Sequence, residues 1–298
     1  MGILTHLIDE LTPGERQVQR RKALVLFNVK AGGVAEADRD RLKELVADAF
    51  QTMEFVGIDR VSKEIFRRDA DVIIVLGGDG TARAVAEAAP MLAPPLILLP
   101  GGTLNILPKA LYGDLAWPEA LQAALERGSV RRLAYGRANG ERFFVAAMFG
   151  APTLLARARE AVREWKFMRA ARRFRHFTKR AMAHKLLARP EGARMARAEA
   201  VGVLCPSFSG AVEGDALEWA RLDAGGVMDL FRLGMRGALG PGWREDPAVD
   251  LRRCKAGDIV SLGVIPATLD GEPHTFYSRV RITFDKRGPR VVCLDPDG

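Results

Sequence analysis

The chain has 298 residues, of which 48% are hydrophobic. That is enough for two domains with buried cores, and too apolar for wholesale disorder. No apolar run reaches the ~18–20 residues of a membrane span, and the net charge of +8 is local, because Arg157 to Arg197 holds 14 Lys or Arg against three acids.

The first 22 residues read as a polar lead-in. Met1–Glu10 lacks the basic start of a secretory signal and runs into acids. Ala23–Phe27 is a buried strand that ends at Asn28 and the turn Ala31-Gly32-Gly33. Helical spacing follows through Leu42, Leu45, Val46 and Ala49. Glu54–Val56 is a weaker strand and Val61–Arg68 a second helix. Asp71–Leu76 is the clearest strand, β-branched and stopped by Gly77-Gly78. A small-residue helix over Ala82–Ala89 and a buried strand at Leu96–Leu99 come next. Strands alternating with helices predict a parallel sheet covered on both faces.

After Gly128 the rhythm changes. Arg132–Arg137 and Phe143–Phe149 flank Asn139-Gly140, a hairpin signal. Val201–Cys205, Leu217–Leu222, Val227–Leu233, Ile259–Val264, Arg279–Phe284 and Val291–Leu294 are further short strands, as in an antiparallel sandwich. Thr153–Arg189 contains neither Gly nor Pro and is expected to be helical. The expected organisation is an α/β domain over 23–130, followed by a β-sandwich domain over 131–298 with a helical insertion at about 153–189. Cys205, Cys254 and Cys293 lie far apart and the four histidines are scattered. Neither a disulfide framework nor a zinc site is readable, and a reducing cytoplasm is expected.

Gly77-Gly78-Asp79-Gly80-Thr81 sits between a strand and a helix. Glycines let the backbone approach an anion, and amides at a helix start face phosphates. Asp79 adds a carboxylate suited to holding a metal ion or taking a proton, and Thr81 a hydroxyl. A plain strand-to-helix turn, with Asp79 and Thr81 as caps, uses the same residues. Pro100-Gly101-Gly102-Thr103-Leu104-Asn105 follows the next strand at the same end of the sheet, and Asn28-Val29-Lys30-Ala31-Gly32-Gly33 follows an earlier one. Three such turns at the carboxyl ends of parallel strands form a ligand crevice. Walker-A and Gly-x-Gly-x-x-Gly patterns are both absent. In the second domain, Asp270-Gly271-Glu272 is either a hairpin turn or a pair of carboxylates for acid–base work, one of them a general base.

In this order, these elements resemble the diacylglycerol kinase catalytic family, within the superfamily of bacterial lipid kinases and sphingosine and ceramide kinases. Gly77–Thr81 matches its Gly-Gly-Asp-Gly-Thr signature and Pro100–Asn105 its Pro-x-Gly-Thr-x-Asn element. Asn28–Gly33 resembles its first glycine turn, Gly226–Asp229 its Asp-Gly-x-Leu-Asp segment, and Asp270–Glu272 its late Asp-Gly-Glu. The resemblance implies a Rossmann-like nucleotide domain and a sandwich domain for a lipid acceptor. It implies ATP and Mg²⁺, with phosphorylation of a lipid hydroxyl on diacylglycerol, ceramide or a sphingoid lipid. Glu272 would accept the proton, with Asp79 and Asp270 as further catalytic candidates. Asn28, Lys30, Gly77, Gly78, Asp79, Gly80, Thr81, Gly102, Thr103 and Asn105 would hold the nucleotide, and Asp79 the metal. Val29, Arg83, Ala84, Ile106 and Gly225 depart from the common pattern. Ala84, Ile106 and Gly225 keep open a lipid-binding pseudokinase, and the Gly-Gly-Asp-Gly turn alone keeps open a soluble-substrate kinase related to NAD kinase.

The segment Arg157–Arg197 places Val162, Trp165, Met168, Ala171, Phe174 and Phe177 at helical spacing among its cations. Such a helix either packs its apolar stripe on the sandwich or docks on an anionic membrane. No nucleic-acid-binding motif is present, so a lipid substrate and a membrane surface are the expected partners. The expected location is the cytoplasm, peripheral on the inner face of the membrane.

Overall fold

The computed structural model describes residues 22–28, 34–35, 37–47, 49–58, 61–150, 186–209, 213–222, 244–245, 247 and 249–295. They fall into two compact units. One draws on Met1–Ala134, Ser207–Gly214 and Lys286–Gly298, the other on Tyr135–Pro206 and Asp215–Asp285.

The first unit is built on β1 (Lys22–Phe27), β2 (Thr52–Gly57), β3 (Val72–Gly77) and β4 (Leu96–Pro100). These pair in parallel in the order β2-β1-β3-β4. Val72–Gly77 is buried throughout, and β1 and β4 are buried except at one end, as continuous apolar runs must be when both faces are covered. Between them lie α1 (Ala37–Ala47), which buries Leu42 and Val46, and α2 (Asp79–Ala88), which buries Ala82, Val85 and Ala86. The helix expected over Val61–Arg68 is only a 3-10 turn, Lys63–Arg67, burying Ile65. One apolar contact is too little to carry a costly helix nucleus further.

Two helices escaped the sequence reading, α3 (Ile106–Tyr112) and α4 (Trp117–Arg127). A proline in each obscures the periodicity. Pro118 lies in the first turn of α4, where its missing N–H costs nothing. The sheet is completed by β5 (Ser129–Arg132) and, from the far end of the chain, β16 (Arg290–Cys293). The latter lies parallel to β4 and antiparallel to β5. The Val291–Leu294 strand therefore belongs with the first sheet and not with the later antiparallel strands. Val291 and Val292 are fully buried there, which an edge position in a sandwich would not provide.

The second unit is an antiparallel sheet. Its hairpin β6 (Tyr135–Ala138) and β7 (Glu141–Phe143) turns through Asn139 and Gly140, both with positive φ. The Asn139 side chain binds the neighbouring strand, donating to Arg279 O and accepting from Arg281 N. The centre is a long hairpin of β14 (Ala256–Leu269) and β15 (Glu272–Asp285). Near its start β14 also pairs with β9 (Leu186–Pro190), and near its end with β8 (Ala146–Gly150). Strand β9 in turn pairs with β10 (Ala196–Ala198), and β8 with β11 (Ala200–Leu204), β12 (Leu217–Leu222) and β13 (Val249–Cys254) in succession. One core runs through these strands, around Trp219, Phe143, Phe149, Ile265 and Ile282.

Residues 153–185 of the expected basic helix, and the Gly226–Asp229 segment, lie outside the described residues. At its far end, where the helix was expected to reach Arg189, the chain is the strand β9. Leu186 and Ala188 point into the core at strand spacing, and Arg189 lies opposite Asp258.

Asp258 is 1% exposed, yet charged. Its Oδ1 accepts from Arg279 Nε at 3.0 Å, and its Oδ2 from Arg281 at 2.9 Å and Arg189 at 3.2 Å. Burial works to raise its pKa, but the hydrogen bonds from Arg279 and Arg189 and the charge of Arg281 outweigh it, and the pKa is lowered. The stabilisation is therefore complete above the ordinary aspartate value of 3.8 and is lost as the pH falls from there through the folded value. Asp258→Asn is expected to cost on the order of 2–3 kcal/mol at neutral pH. It should also remove part of the wild-type loss of stability in that acid window, read by urea denaturation across pH.

Candidate active site: a main-chain cradle

Strands β1, β3 and β4 are adjacent and parallel, so their carboxyl ends release three turns side by side. The structure ties these turns together. Asn28 N–H donates to Leu76 O, and its Nδ2 donates to Thr81 Oγ1 at 2.8 Å. Gly101 N–H donates to Gly77 O at 2.9 Å. A hydroxyl that accepts one bond still has its hydrogen to donate, so Asn28 aims Thr81 as a donor.

Helix α2 begins earlier than its apolar spacing indicates. Gly78 is its N-cap, and Asp79, Gly80 and Thr81 form its first turn. The first amides of a helix have no partner within it, and the dipole there favours negative charge. The glycines serve closeness more than turning. A Cβ on Gly102 would lie 2.9 Å from Gly78 Cα, and one on Gly101 would lie 2.9 Å from Gly77 O. The second turn thus packs main chain against main chain on the first.

Asp79 is the joint. Its Oδ2 accepts from Asn105 N–H at 2.8 Å and its Oδ1 from Ile106 N–H. A carboxylate that begins α2 therefore caps the start of α3. Asn105 takes the left-handed conformation, φ 53°, which asparagine tolerates better than most residues. Its side chain closes the turn, accepting from Gly102 N–H at 2.7 Å and donating to Gly102 O at 3.1 Å. Ile106, a departure from the family pattern, contributes a main-chain N–H that any residue but proline supplies. Thr103 and Gly80 are exposed at the rim. Lys30 lies outside the described residues.

Among the described residues, no three His, Cys, Asp or Glu side chains gather as a metal cluster. Asp79 is the one carboxylate of the described cradle residues. After two N–H bonds it keeps lone pairs for a cation. That donor set fits Mg²⁺, which takes one or two carboxylates and leaves its other positions to phosphates and water.

Asp270 and Glu272 belong to the second unit. Asp270 and Gly271 both have positive φ and make a two-residue hairpin turn between β14 and β15. Asp270 is 5% exposed. Its Oδ2 accepts from Phe144 N–H at 2.7 Å, and its Oδ1 from Val145 N–H at 2.8 Å and Ala146 N–H at 3.0 Å. Sequence reasoning grouped Asp270 with the catalytic acids, but these bonds make it the anchor of the turn. Glu272, one residue past the turn, is exposed. Burial, reinforced by the charge of Asp270, pushes the Cys205 thiol well up, and that thiol donates to Phe143 O.

The structure brings together Asn28, Gly77–Thr81, Gly102 and Asn105, with Thr103 at their edge. Sequence reasoning missed Gly101 as a contact glycine, and the capping of α3 by Asp79. No spacing rule signals a cap that reaches across 26 residues. Asp79→Asn places an NH₂ against one of two N–H donors. It should lower stability by about 1–3 kcal/mol, measured by thermal denaturation, whereas Thr103→Ala should leave the melting temperature unchanged.

Residues 22–138 match the family model for the diacylglycerol kinase catalytic domain. A diacylglycerol kinase structure from Bacillus anthracis strain Sterne is similar at 17% identity, over 94% of this chain and 99% of that one, with a TM-score of 0.69. A further structure of this class from the same strain matches at 18% identity, with the same coverage and TM-score. No curated protein matches the sequence. The match spans both halves of the cradle and the strands that hold them, and it is in residues 22–138 that the chain is similar to the diacylglycerol kinase catalytic domain family.

Proposed function

We propose that this protein is an ATP- and Mg²⁺-dependent lipid kinase that transfers the γ-phosphoryl group to a lipid hydroxyl, on diacylglycerol or on ceramide or a sphingoid lipid. The observation that carries this is the cradle, where glycines, helix-start amides and the Asn28-oriented Thr81 hydroxyl meet at the ends of three parallel strands. Phosphoryl transfer needs positioning and charge neutralisation more than covalent help from the protein. Main-chain amides supply the first, and Mg²⁺, held through Asp79, supplies charge neutralisation when bound.

In the proposed reaction the acceptor oxygen attacks the γ-phosphorus, the bond from that phosphorus to the bridging oxygen breaks, and ADP leaves. The acceptor's proton passes to Glu272. Of the two acids at the hairpin, Glu272 is the exposed one, while Asp270 is engaged by three amides and acts as its positioning residue. The basic run from Arg157 to Arg197 carries the further proposal of an enzyme that works in the cytoplasm and visits a bilayer to meet its substrate.

The test is incubation of the purified chain with radiolabelled ATP, Mg²⁺ and a panel of diacylglycerol, ceramide, sphingosine and NAD. Label on a lipid supports the reading, whereas label on NAD alone, or none with ATP binding intact, overturns it. Glu272→Gln should lower kcat by at least about a hundredfold, with unchanged nucleotide affinity and melting temperature. Gly102→Ala, whose methyl meets the Gly78 main chain, should weaken ATP binding by about tenfold or more, measured by calorimetry.

A further inference from the structure

The β14–β15 hairpin carries a break that the cradle does not use. Val260 lies opposite Arg279, and the next pair is Val264 with Tyr277. Ser261, Leu262 and Gly263 therefore face the single residue Ser278, whose φ is 57°. Such a bulge re-aims side chains. Here it turns Leu262 out to 96% exposure, and Tyr277, paired with Val264 at the edge of the bulge, is 71% exposed. Neither exposure serves the core, because Ile259, Ile265 and Val280 on the other face are fully buried.

Cations flank this apolar tip on the same face. Arg189, Asp258 and Arg281 form one cross-strand row. Arg197, Leu187, Val260 and Arg279 form the next. Four guanidiniums thus stand against one carboxylate. Arg189, Arg279 and Arg281 keep about half of their side chains exposed while bonded to Asp258, and Arg197 is exposed. Asp258 holds three of them in place, so the positive charge is fixed to the sheet.

A protruding leucine beside an exposed tyrosine suits the boundary between headgroups and acyl chains, where tyrosine keeps its ring in apolar surroundings and its hydroxyl wet. Arginines behind them suit a negative surface, at roughly 1 kcal/mol per cation near the bilayer. A nucleic acid would use the arginines but has no need of Leu262. We propose that this face of the second unit docks on an anionic phospholipid bilayer, with Leu262 and Tyr277 inserted and Arg189, Arg197, Arg279 and Arg281 over the headgroups. Leu262, Tyr277, Arg279 and Arg281 lie outside the basic run Arg157–Arg197, to which Arg189 and Arg197 belong. The proposal does not depend on the catalytic reading, since binding is read without nucleotide.

The test is co-sedimentation of the full chain with vesicles of phosphatidylcholine alone, and with vesicles in which a third of the lipid is phosphatidylglycerol. The wild type should bind the anionic vesicles at least tenfold more tightly, and less so as salt is raised. The Leu262→Asp/Tyr277→Ser variant should lose at least tenfold on the anionic vesicles while keeping the wild-type melting temperature. Should that variant melt lower, Arg197→Glu, outside the Asp258 cluster, carries the same test through a several-fold loss. Wild-type binding in both variants, or equal binding to neutral vesicles, overturns the proposal. So does tighter binding to a DNA oligonucleotide than to vesicles at the same salt.

Discussion

The carboxylate of Asp79 couples two turns that come from different strands. It begins one helix and caps another, so the second glycine turn cannot shift without breaking bonds to the first. Helix α3 is only seven residues long, too short to hold itself in water. Its place depends on that cap and on packing of Leu107 and Leu111. The close approach of Gly101 and Gly102 to Gly77 and Gly78 follows from the same constraint, because main chains held this near leave no room for a Cβ. The cradle's geometry is thus set by an acid that neutral amides keep in position.

Three aspartates illustrate how one side chain takes different roles according to its donors. Asp79 and Asp270 are bound by main-chain N–H groups, and each fixes a turn. Asp258 is bound by guanidiniums, and it orders charged side chains on a sheet face. Glu272 differs from all three in being exposed, next to a turn that is already anchored. In the proposed reaction, the rigid acid and the reactive acid are therefore separated only by Gly271 and have separate duties.

Much of the first unit was legible because its strands are unbroken apolar runs. Val72–Gly77 and Leu96–Pro100 lie close to where composition places them, and the turns that follow them carry glycines with few other uses. The Asn139-Gly140 hairpin was legible for the same reason, since few residues accept two successive positive φ values. What was hidden was long-range. The apolar segment at Val291–Leu294 does not announce which sheet it will join. The end of the expected basic helix reads equally as a strand until Leu186 and Ala188 find a core. Asp270 looked like half of a catalytic pair because sequence shows its neighbour Glu272 and not the amides of Phe144, Val145 and Ala146, more than a hundred residues earlier. Family resemblance located the cradle residues, and only coordinates revealed which of them touch.

The placement of β16 has a consequence for biosynthesis. The strand that lies between β4 and β5 leaves the ribosome some 190 residues after Leu96, to which it pairs. Until then the nascent first unit has two ungapped edges where a neighbour should be, and bare edges recruit strands from other chains. Completion of the sheet that carries the cradle therefore waits on a segment made long after the cradle's glycines.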